Sequence, residues 1–101
     1  MLTTLGADAD AAALARALVE SRLAACVNVL PAMTSIYRWK GAVEEDREQQ
    51  LVIKTTPAAL DALQAWLVAH HPYETPEFLV LEASGSDAYL RWLGESADSR
   101  R

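Results

Sequence analysis

The chain has 101 residues, 51% of them hydrophobic, with a formal net charge of −5 and a single cysteine, Cys26. The acidic balance opposes nucleic-acid phosphates, and a single cysteine excludes a disulfide within the chain. No apolar run approaches the roughly 20 residues that cross a membrane, and no basic region precedes the first apolar residues as in a signal peptide. We therefore expect a cytoplasmic protein without nucleic-acid or membrane partners.

The first part of the chain predicts a strand followed by a helix. Residues 2–5 are a short run of Leu and Thr, which is typical of a strand. Apolar residues then recur at helical spacing: Ala11, Leu14, Ala15 and Leu18. They predict a helix over residues 10–23, with Asp8 or Asp10 as its N-cap and Arg22 in its last turn, where a cation suits the helix dipole.

Residues 26–56 predict an unusually long β-hairpin that turns at Gly41. The two arms are rich in Val, Ile, Tyr and Trp, and each has about 14 residues, against a usual strand length of roughly 5–6. Pro31 cannot donate a ladder hydrogen bond, so we expect the first arm to be bent or bulged there. The acidic run at 44–48 is interpreted as solvated surface. Such a hairpin overhangs any sheet that one small chain can build, and its unpaired edges predict a partner chain.

The second half predicts a helix, a strand and a last short helix. Pro57 marks the start of the helix, which continues to His70. The segment 77–83 has a nearly continuous apolar centre and predicts an inner strand. The last helix is predicted over 87–93, with Gly94 ending it.

This order of elements is β-α-β-β-α-β with a terminal helix. It predicts an α+β fold of the ferredoxin-like, split βαβ type, with an antiparallel sheet and both main helices on one face. We expect a single domain at 1–95 and a disordered tail at 96–101. The sheet face without helices needs a cover, and the simplest candidate is the same face of another copy.

Four motifs occur in order along the chain: A-A-C-V-N, T-S-I-Y-R-W-K-G, I-K-T-T and H-P-Y-E-T-P-E. In this combination the chain resembles the CutA family, the divalent-cation tolerance proteins, over residues 3–93. The resemblance implies a ferredoxin-like homotrimer in which the long hairpins reach across subunits. It also implies that the protein binds divalent metal ions, such as copper or zinc, and acts in metal tolerance.

The resemblance implies metal ligands at His70 and His71, the two histidines of the chain. Imidazole is a good ligand for copper and zinc. A copper site in a relative combines the matching histidine pair with a cysteine, and this chain has Thr3 at the cysteine position. We therefore expect at most weak binding of Cu²⁺ or another divalent cation. The alternative is that both histidines serve the structure, and Cys26 is expected to act as a small buried hydrophobe.

A second candidate site combines aromatic, cationic and acidic residues of the hairpin and the H-P-Y-E-T-P-E loop: Tyr37, Trp39, Lys54, Tyr73, Glu74, Thr75 and Glu77. The resemblance places these positions near clefts between subunits. Aromatic walls with one lysine predict a pocket for a small anionic or zwitterionic ligand. The alternative is that these residues only join the subunits, since interfaces favour Tyr and Trp.

Three functions stay open on the sequence alone. The first is a metal-binding trimer in metal tolerance, and the second is a regulatory trimer, similar to the PII proteins, with a small ligand in its inter-subunit clefts. The third is a structural trimer that docks another protein. The sequence has no catalytic triad, Gly-rich phosphate loop or Cys-x-x-Cys motif, so we predict neither an enzyme nor an organic cofactor.

Overall fold

The computed structural model of the chain describes residues 1–98. The elements, in chain order, are β1 (Leu2–Gly6), α1 (Ala11–Glu20), β2 (Cys26–Val29), β3 (Met33–Trp39), β4 (Ala42–Lys54), α2 (Leu60–His70) and α3 (Asp87–Ser96), with a 3-10 turn at Pro57–Ala59 before α2. The strands form one antiparallel sheet in which β4 pairs with all three others. This confirms the predicted α+β, ferredoxin-like architecture.

The strand β4 organises the sheet because its 13 residues are long enough to hold partners on both edges. One edge pairs with β1, and the other pairs first with β2 and then with β3. Between β2 and β3 the register changes from Val29 opposite Leu51 to Met33 opposite Glu48, so three residues face two. The predicted bulge at Pro31 is therefore confirmed.

The core lies between the sheet and the helices α1 and α2. Five leucines of strands and helices are at most 2% exposed: Leu5, Leu18, Leu51, Leu63 and Leu67. The helix α1 contributes one apolar stripe, and its N-cap Asp10 accepts a hydrogen bond of 3.0 Å from the Ala13 N–H. Since only one sheet face carries these helices, the other face is where side chains remain available for contacts.

The hairpin of β3 and β4 turns at Lys40 and Gly41, between the paired residues Trp39 and Ala42. Both turn residues have positive φ, 49° and 84°, as a two-residue type I′ turn requires. The hairpin extends beyond β1 and β2, and its outer part exposes apolar side chains, with Ile36 67% and Val43 66% exposed. The predicted overhang is present.

The helix α1 ends earlier than predicted. It stops at Glu20, three residues before the predicted end, and Arg22 has a φ of 62°. The Arg22 N–H donates to the Val19 carbonyl and the Leu23 N–H to the Leu18 carbonyl, a closing pattern that satisfies the last helical carbonyls. The Arg22 guanidinium therefore lies outside the helix, 3.3 Å from the Glu95 carbonyl oxygen.

The predicted inner strand at 77–83 is wrong. This segment makes one isolated bridge to β1, through two hydrogen bonds of 2.8 and 3.2 Å between the backbones of Leu2 and Leu79. It lies at the outer edge of the sheet, and Leu79, Val80 and Leu81 are 49–65% exposed. Phe78 packs against the core, whereas the three apolar residues that follow it in this run are exposed.

The last helix is longer than predicted. Ser86 caps it by accepting a hydrogen bond from the Tyr89 N–H, and it continues through Gly94 to Ser96. The prediction that Gly94 ends the helix is therefore wrong. Ala97 is 3% exposed, so the packed part of the chain passes the predicted limit at 95. The rest of the predicted tail, 99–101, lies outside the described residues.

Candidate functional site

A cleft of about 1080 Å³ opens where the β3–β4 hairpin meets the loop after α2. Six of the seven residues predicted for a ligand site line it: Tyr37, Trp39, Tyr73, Glu74, Thr75 and Glu77. Trp39 of the hairpin and Tyr73 of the loop are more than 30 residues apart along the chain, and the fold brings these two parts together.

The register of the hairpin explains why its side of the cleft is both aromatic and acidic. Ser35 lies opposite Asp46 and Tyr37 opposite Glu44. Directly opposed residues of an antiparallel pair share a face, and so do residues two apart on one strand. Tyr37, Asp46 and Glu48 therefore project from the same face of the sheet.

His71 fixes the loop that forms the other side of the cleft. Its ring is 8% exposed, and its Nε2–H donates to the Thr4 carbonyl oxygen at 2.7 Å. Its Nδ1 accepts the Tyr73 N–H at 3.1 Å, and the two rings meet edge to face. This histidine thus holds the loop against β1 and directs Tyr73 toward the cleft.

Two phenol–carboxylate pairs lie in the cleft. The Tyr73 hydroxyl donates to Glu48 Oε2 at 2.8 Å, and the Tyr37 hydroxyl donates to Asp46 Oδ2. The hydrogen bond to Asp46, with desolvation and the nearby negative charges, raises the pKa of Tyr37 to about 12. Burial, together with the hydrogen bond to Glu48, raises the pKa of Tyr73. Both phenols are therefore neutral donors at physiological pH.

Carboxylates dominate the charge of the cleft. Among residues 1–98, five carboxylates line it, against one cationic side chain, that of Arg47: Asp8, Asp46, Glu48, Glu74 and Glu77. The Arg47 guanidinium donates to Thr34 Oγ1 at 3.1 Å and to the Ala32 carbonyl oxygen at 3.4 Å. Glu77 accepts a hydrogen bond of 2.9 Å from the amide of Gln50. The electrostatic potential of this cleft therefore favours cations over anions.

Sequence reasoning missed Asp46 and Glu48, because the acidic run was interpreted as solvated surface. Glu48 is in fact only 8% exposed. The signal that identifies both residues is strand alternation: once Gly41 is taken as the centre of the turn, Asp46 falls on the face of Tyr37.

Lys54, the seventh predicted residue, does not line this cleft. It lies opposite Cys26 at the other end of β4, six residues from Glu48. At about 3.4 Å per residue this separates the two backbones by roughly 20 Å. Lys54, the cation predicted to bind an anionic or zwitterionic ligand, is therefore not among the residues of 1–98 that line the cleft.

The two predicted metal ligands do not share a site. The His70 ring stacks on Trp66 at a centroid distance of 4.0 Å, and its Nδ1–H donates to the Trp66 carbonyl oxygen at 2.7 Å. Its Nε2 has no hydrogen-bond partner in residues 1–98, and the side chain is exposed. In contrast, both ring nitrogens of His71 are hydrogen-bonded.

Within residues 1–98, neither the Thr3 hydroxyl nor the Cys26 thiol is hydrogen-bonded to a histidine. Thr3 is fully buried, and its Oγ1 has no hydrogen-bond partner among residues 1–98. Cys26 is half-buried, with its Sγ 3.9 Å from Asn28 Oδ1. In this part of the chain no three His, Cys, Asp or Glu side chains are grouped so that they could hold a metal ion. Nor does it contain a helix long and apolar enough to cross a membrane.

Comparison with known proteins gives the family. The family model described as CutA1 divalent ion tolerance protein matches residues 1–96. The chain belongs to the CutA1 family. It is 48% identical over 97 residues to the divalent-cation tolerance protein CutA of Thermus thermophilus, covering 95% of this chain and 94% of the relative. It is 46% identical over 87 residues to the human protein CutA, covering 85% of this chain and 49% of the human protein.

Solved structures give the same assignment. The Thermus thermophilus CutA1 structure superposes with a TM-score of 0.90 at 47% identity, over 96% of this chain and 95% of that one. The structure titled PII-like protein CutA, from Nostoc, gives 0.88 at 33% identity, over 96% and 94%. The resemblance drawn from the four sequence motifs is confirmed. The Thermus thermophilus relative is named for divalent-cation tolerance, and none of these names specifies a reaction.

Proposed function

We propose that this CutA1-family protein acts in divalent-cation tolerance as a homotrimer that binds copper or zinc ions weakly. The observation that carries the metal proposal is the free Nε2 of the exposed His70, since its Nδ1 is held by the Trp66 carbonyl. Neutral imidazole is a ligand for both metals, and a hydrogen bond on the other ring nitrogen orients such a ligand.

Binding is expected to be weak because His70 has few partners. Both nitrogens of His71 are occupied, and the Thr3 hydroxyl is buried in the core. One imidazole and water molecules then complete the coordination, and affinity falls as the pH is lowered because protons compete for the same nitrogen. His71 contributes only if its hydrogen bonds to Thr4 and Tyr73 break.

Calorimetric titration of copper into the wild type, His70→Ala and the double variant His70→Ala/His71→Ala tests this proposal. We expect the heat of binding to be lost in His70→Ala and to change no further in the double variant. Lys54→Ala, a change on β4 at the position opposite Cys26, is the control and keeps the wild-type isotherm. Identical isotherms for the wild type and the double variant contradict a role for either histidine.

The homotrimer is proposed from the surfaces that one chain leaves uncovered. The outer hairpin exposes Ile36 and Val43, and the edge segment exposes Leu79, Val80 and Leu81. Apolar side chains next to unpaired strand edges are costly in water and favour pairing with another chain. Light scattering at micromolar concentration is expected to give three times the 11.0 kDa chain mass. A mass of one chain contradicts the proposal.

A second candidate function is that of a regulatory protein that binds a small molecule in the cleft. It is favoured by the six predicted residues that line one space of about 1080 Å³, close to the upper end of the usual size of ligand pockets, about 300–1,000 Å³. The Nostoc relative, which is titled PII-like, supports the same idea by analogy of fold.

A thermal-shift screen of small metabolites tests this second candidate. A ligand of the cleft is expected to raise the unfolding temperature of the wild type but not of Trp39→Ala. Trp92→Ala is the matched control, because Trp92 has nearly the same exposure, 44% against 41%, and does not line the cleft. A shift that survives Trp39→Ala contradicts binding in the cleft.

A further inference from the structure

We infer that the cleft selects small organic ammonium cations, in place of the anionic or zwitterionic ligands that the sequence predicted. This inference rests on the second candidate function, which makes the cleft a ligand site, and adds the chemical class of the ligand. The class follows from three features of the cleft: unpaired carboxylates, neutral aromatic rings and a space much larger than a metal ion.

Three carboxylates that line the cleft lack counter-ions within residues 1–98: the buried Glu48, the half-buried Glu77 and the exposed Asp46. Asp46, Glu48 and Glu77 accept hydrogen bonds from neutral groups, and none of them forms an ion pair within residues 1–98. Lys40 reaches Glu74 at 3.9 Å, but both side chains are more than 70% exposed, so this pair lies at the rim. A cation in the cleft therefore meets negative charge that the chain itself leaves uncompensated.

The phenols prepare the cleft for a cation in two ways. Each hydroxyl donates to one carboxylate oxygen, which fixes the carboxylate and leaves its second oxygen to accept from a ligand. Because Tyr37 and Tyr73 donate rather than accept, they do not compete with the ligand for its N–H groups. Their rings line the cleft together with that of Trp39, over which the Lys40 ammonium already lies, 5.6 Å from the ring centroid. Such π faces attract ammonium groups.

The aromatic walls separate this site from a metal site. A divalent metal ion needs several oxygen or nitrogen ligands converging on one point within about 2–2.6 Å. Here two carboxylates are held by phenols, and residues 1–98 contain no group of three metal-ligating side chains. An ammonium ion with an apolar body uses dispersed acceptors and ring faces together, and the volume of the cleft accommodates it.

Three probes that share a cyclohexyl ring test the inference: cyclohexylammonium, cyclohexanol and cyclohexanecarboxylate. Each is titrated into the full-length protein and followed by backbone amide NMR shifts. We expect saturable shifts at Tyr73 and Trp39 with the cation, weaker ones with the alcohol and none with the carboxylate. If the alcohol or the carboxylate binds the cleft as tightly as the cation, charge selection is overturned while the ligand cleft remains. If no probe binds, both the inference and the ligand cleft fail.

Charge-neutral variants identify the groups responsible. Glu48→Gln and Asp46→Asn keep an oxygen that accepts from the phenols and remove one negative charge each. We expect each to weaken binding of cyclohexylammonium roughly tenfold and to leave the alcohol unchanged. Glu45→Gln is the matched control, because Glu45 lies on the same strand but opposite Ile36, on the other face. Equal weakening by Glu45→Gln shows a general charge effect and overturns the assignment to the cleft.

Discussion

The buried hydroxyl of Thr3 makes a measurable prediction about the core. Thr3 lies opposite Leu51 in the β1–β4 ladder, and both residues are 0% exposed. Its Oγ1 has no hydrogen-bond partner in the described part of the chain. A buried polar group without a partner destabilises the folded state, so Thr3→Val, which replaces the hydroxyl with a methyl group of similar size, is expected to increase stability.

The size of the effect follows from two contributions. An unsatisfied buried hydroxyl costs about 1–3 kcal/mol, and burying an extra methyl group contributes about 0.8 kcal/mol. Because β-branched packing is conserved, the two contributions add to an expected net gain of about 2–4 kcal/mol in the free energy of unfolding. For a domain of this size, each kcal/mol of added stability raises Tm by roughly 4–8 °C.

Guanidinium unfolding measures this gain at one fixed protein concentration, since the stability of an oligomer depends on concentration. Thr34→Val is the matched control, because Thr34 Oγ1 is an exposed acceptor for the Arg47 guanidinium at 3.1 Å. That variant is expected to be neutral or slightly less stable. If Thr3→Val is no more stable than the wild type, the Thr3 hydroxyl has a partner and the reasoning is refuted.

Three further predictions concern the turn, the cleft and the loop. Gly41→Ala should lower the free energy of unfolding by about 1 kcal/mol, because φ is 84° there. Gly94→Ala, inside α3, should raise it by about 0.5–1 kcal/mol. Equal effects of the two variants in denaturant unfolding contradict this. Absorbance titration at alkaline pH should reveal a phenol that ionises near pH 12 and disappears in Tyr37→Phe. Since its folded pKa is raised, the stability it contributes is present below about pH 10 and is lost as the pH rises toward 12; ionisation near 10 refutes the Asp46 contact. His71→Ala should lower the free energy of unfolding by about 1–3 kcal/mol, because it leaves the Thr4 carbonyl unpaired. A decrease below about 0.5 kcal/mol in denaturant unfolding refutes the anchoring role of His71.

The hairpin is predictable from sequence because several local signals agree. Strand-forming residues, the proline at 31 and the glycine at 41 each restrict the backbone in a way that needs no other part of the chain. The N-cap of α1 is predicted from an equally local signal at Asp8 or Asp10, and Asp10 makes the capping hydrogen bond. These features are local, and the structure has them.

The errors arise where the outcome depends on distant neighbours. The apolar run at 77–83 has strand composition, but a strand needs a paired edge, and only Leu79 finds one. Gly94 favours the end of a helix, yet α3 continues, and Ala97 packs beyond it. Composition alone does not contain the contacts that decide either case.

The sequence predicts the residues that line the cleft better than it predicts the charge of the cleft. Tyr37, Trp39 and Tyr73 stand out in the sequence as aromatic residues in specific motifs. The role of Glu48 depends on the register of β4 against β3, which puts a carboxylate beneath the Tyr73 hydroxyl. Lys54 has the right chemistry for an anion site, but six residues of extended strand carry it away.

The metal function has one direct test. A crystal grown with copper and measured at the copper absorption edge locates every bound copper ion by its anomalous scattering. The proposed metal site predicts a peak within bonding distance of His70 Nε2, with the His71 ring still hydrogen-bonded to the Thr4 carbonyl. The absence of any peak at His70, or copper bound elsewhere while His70 stays free, contradicts the proposed metal site.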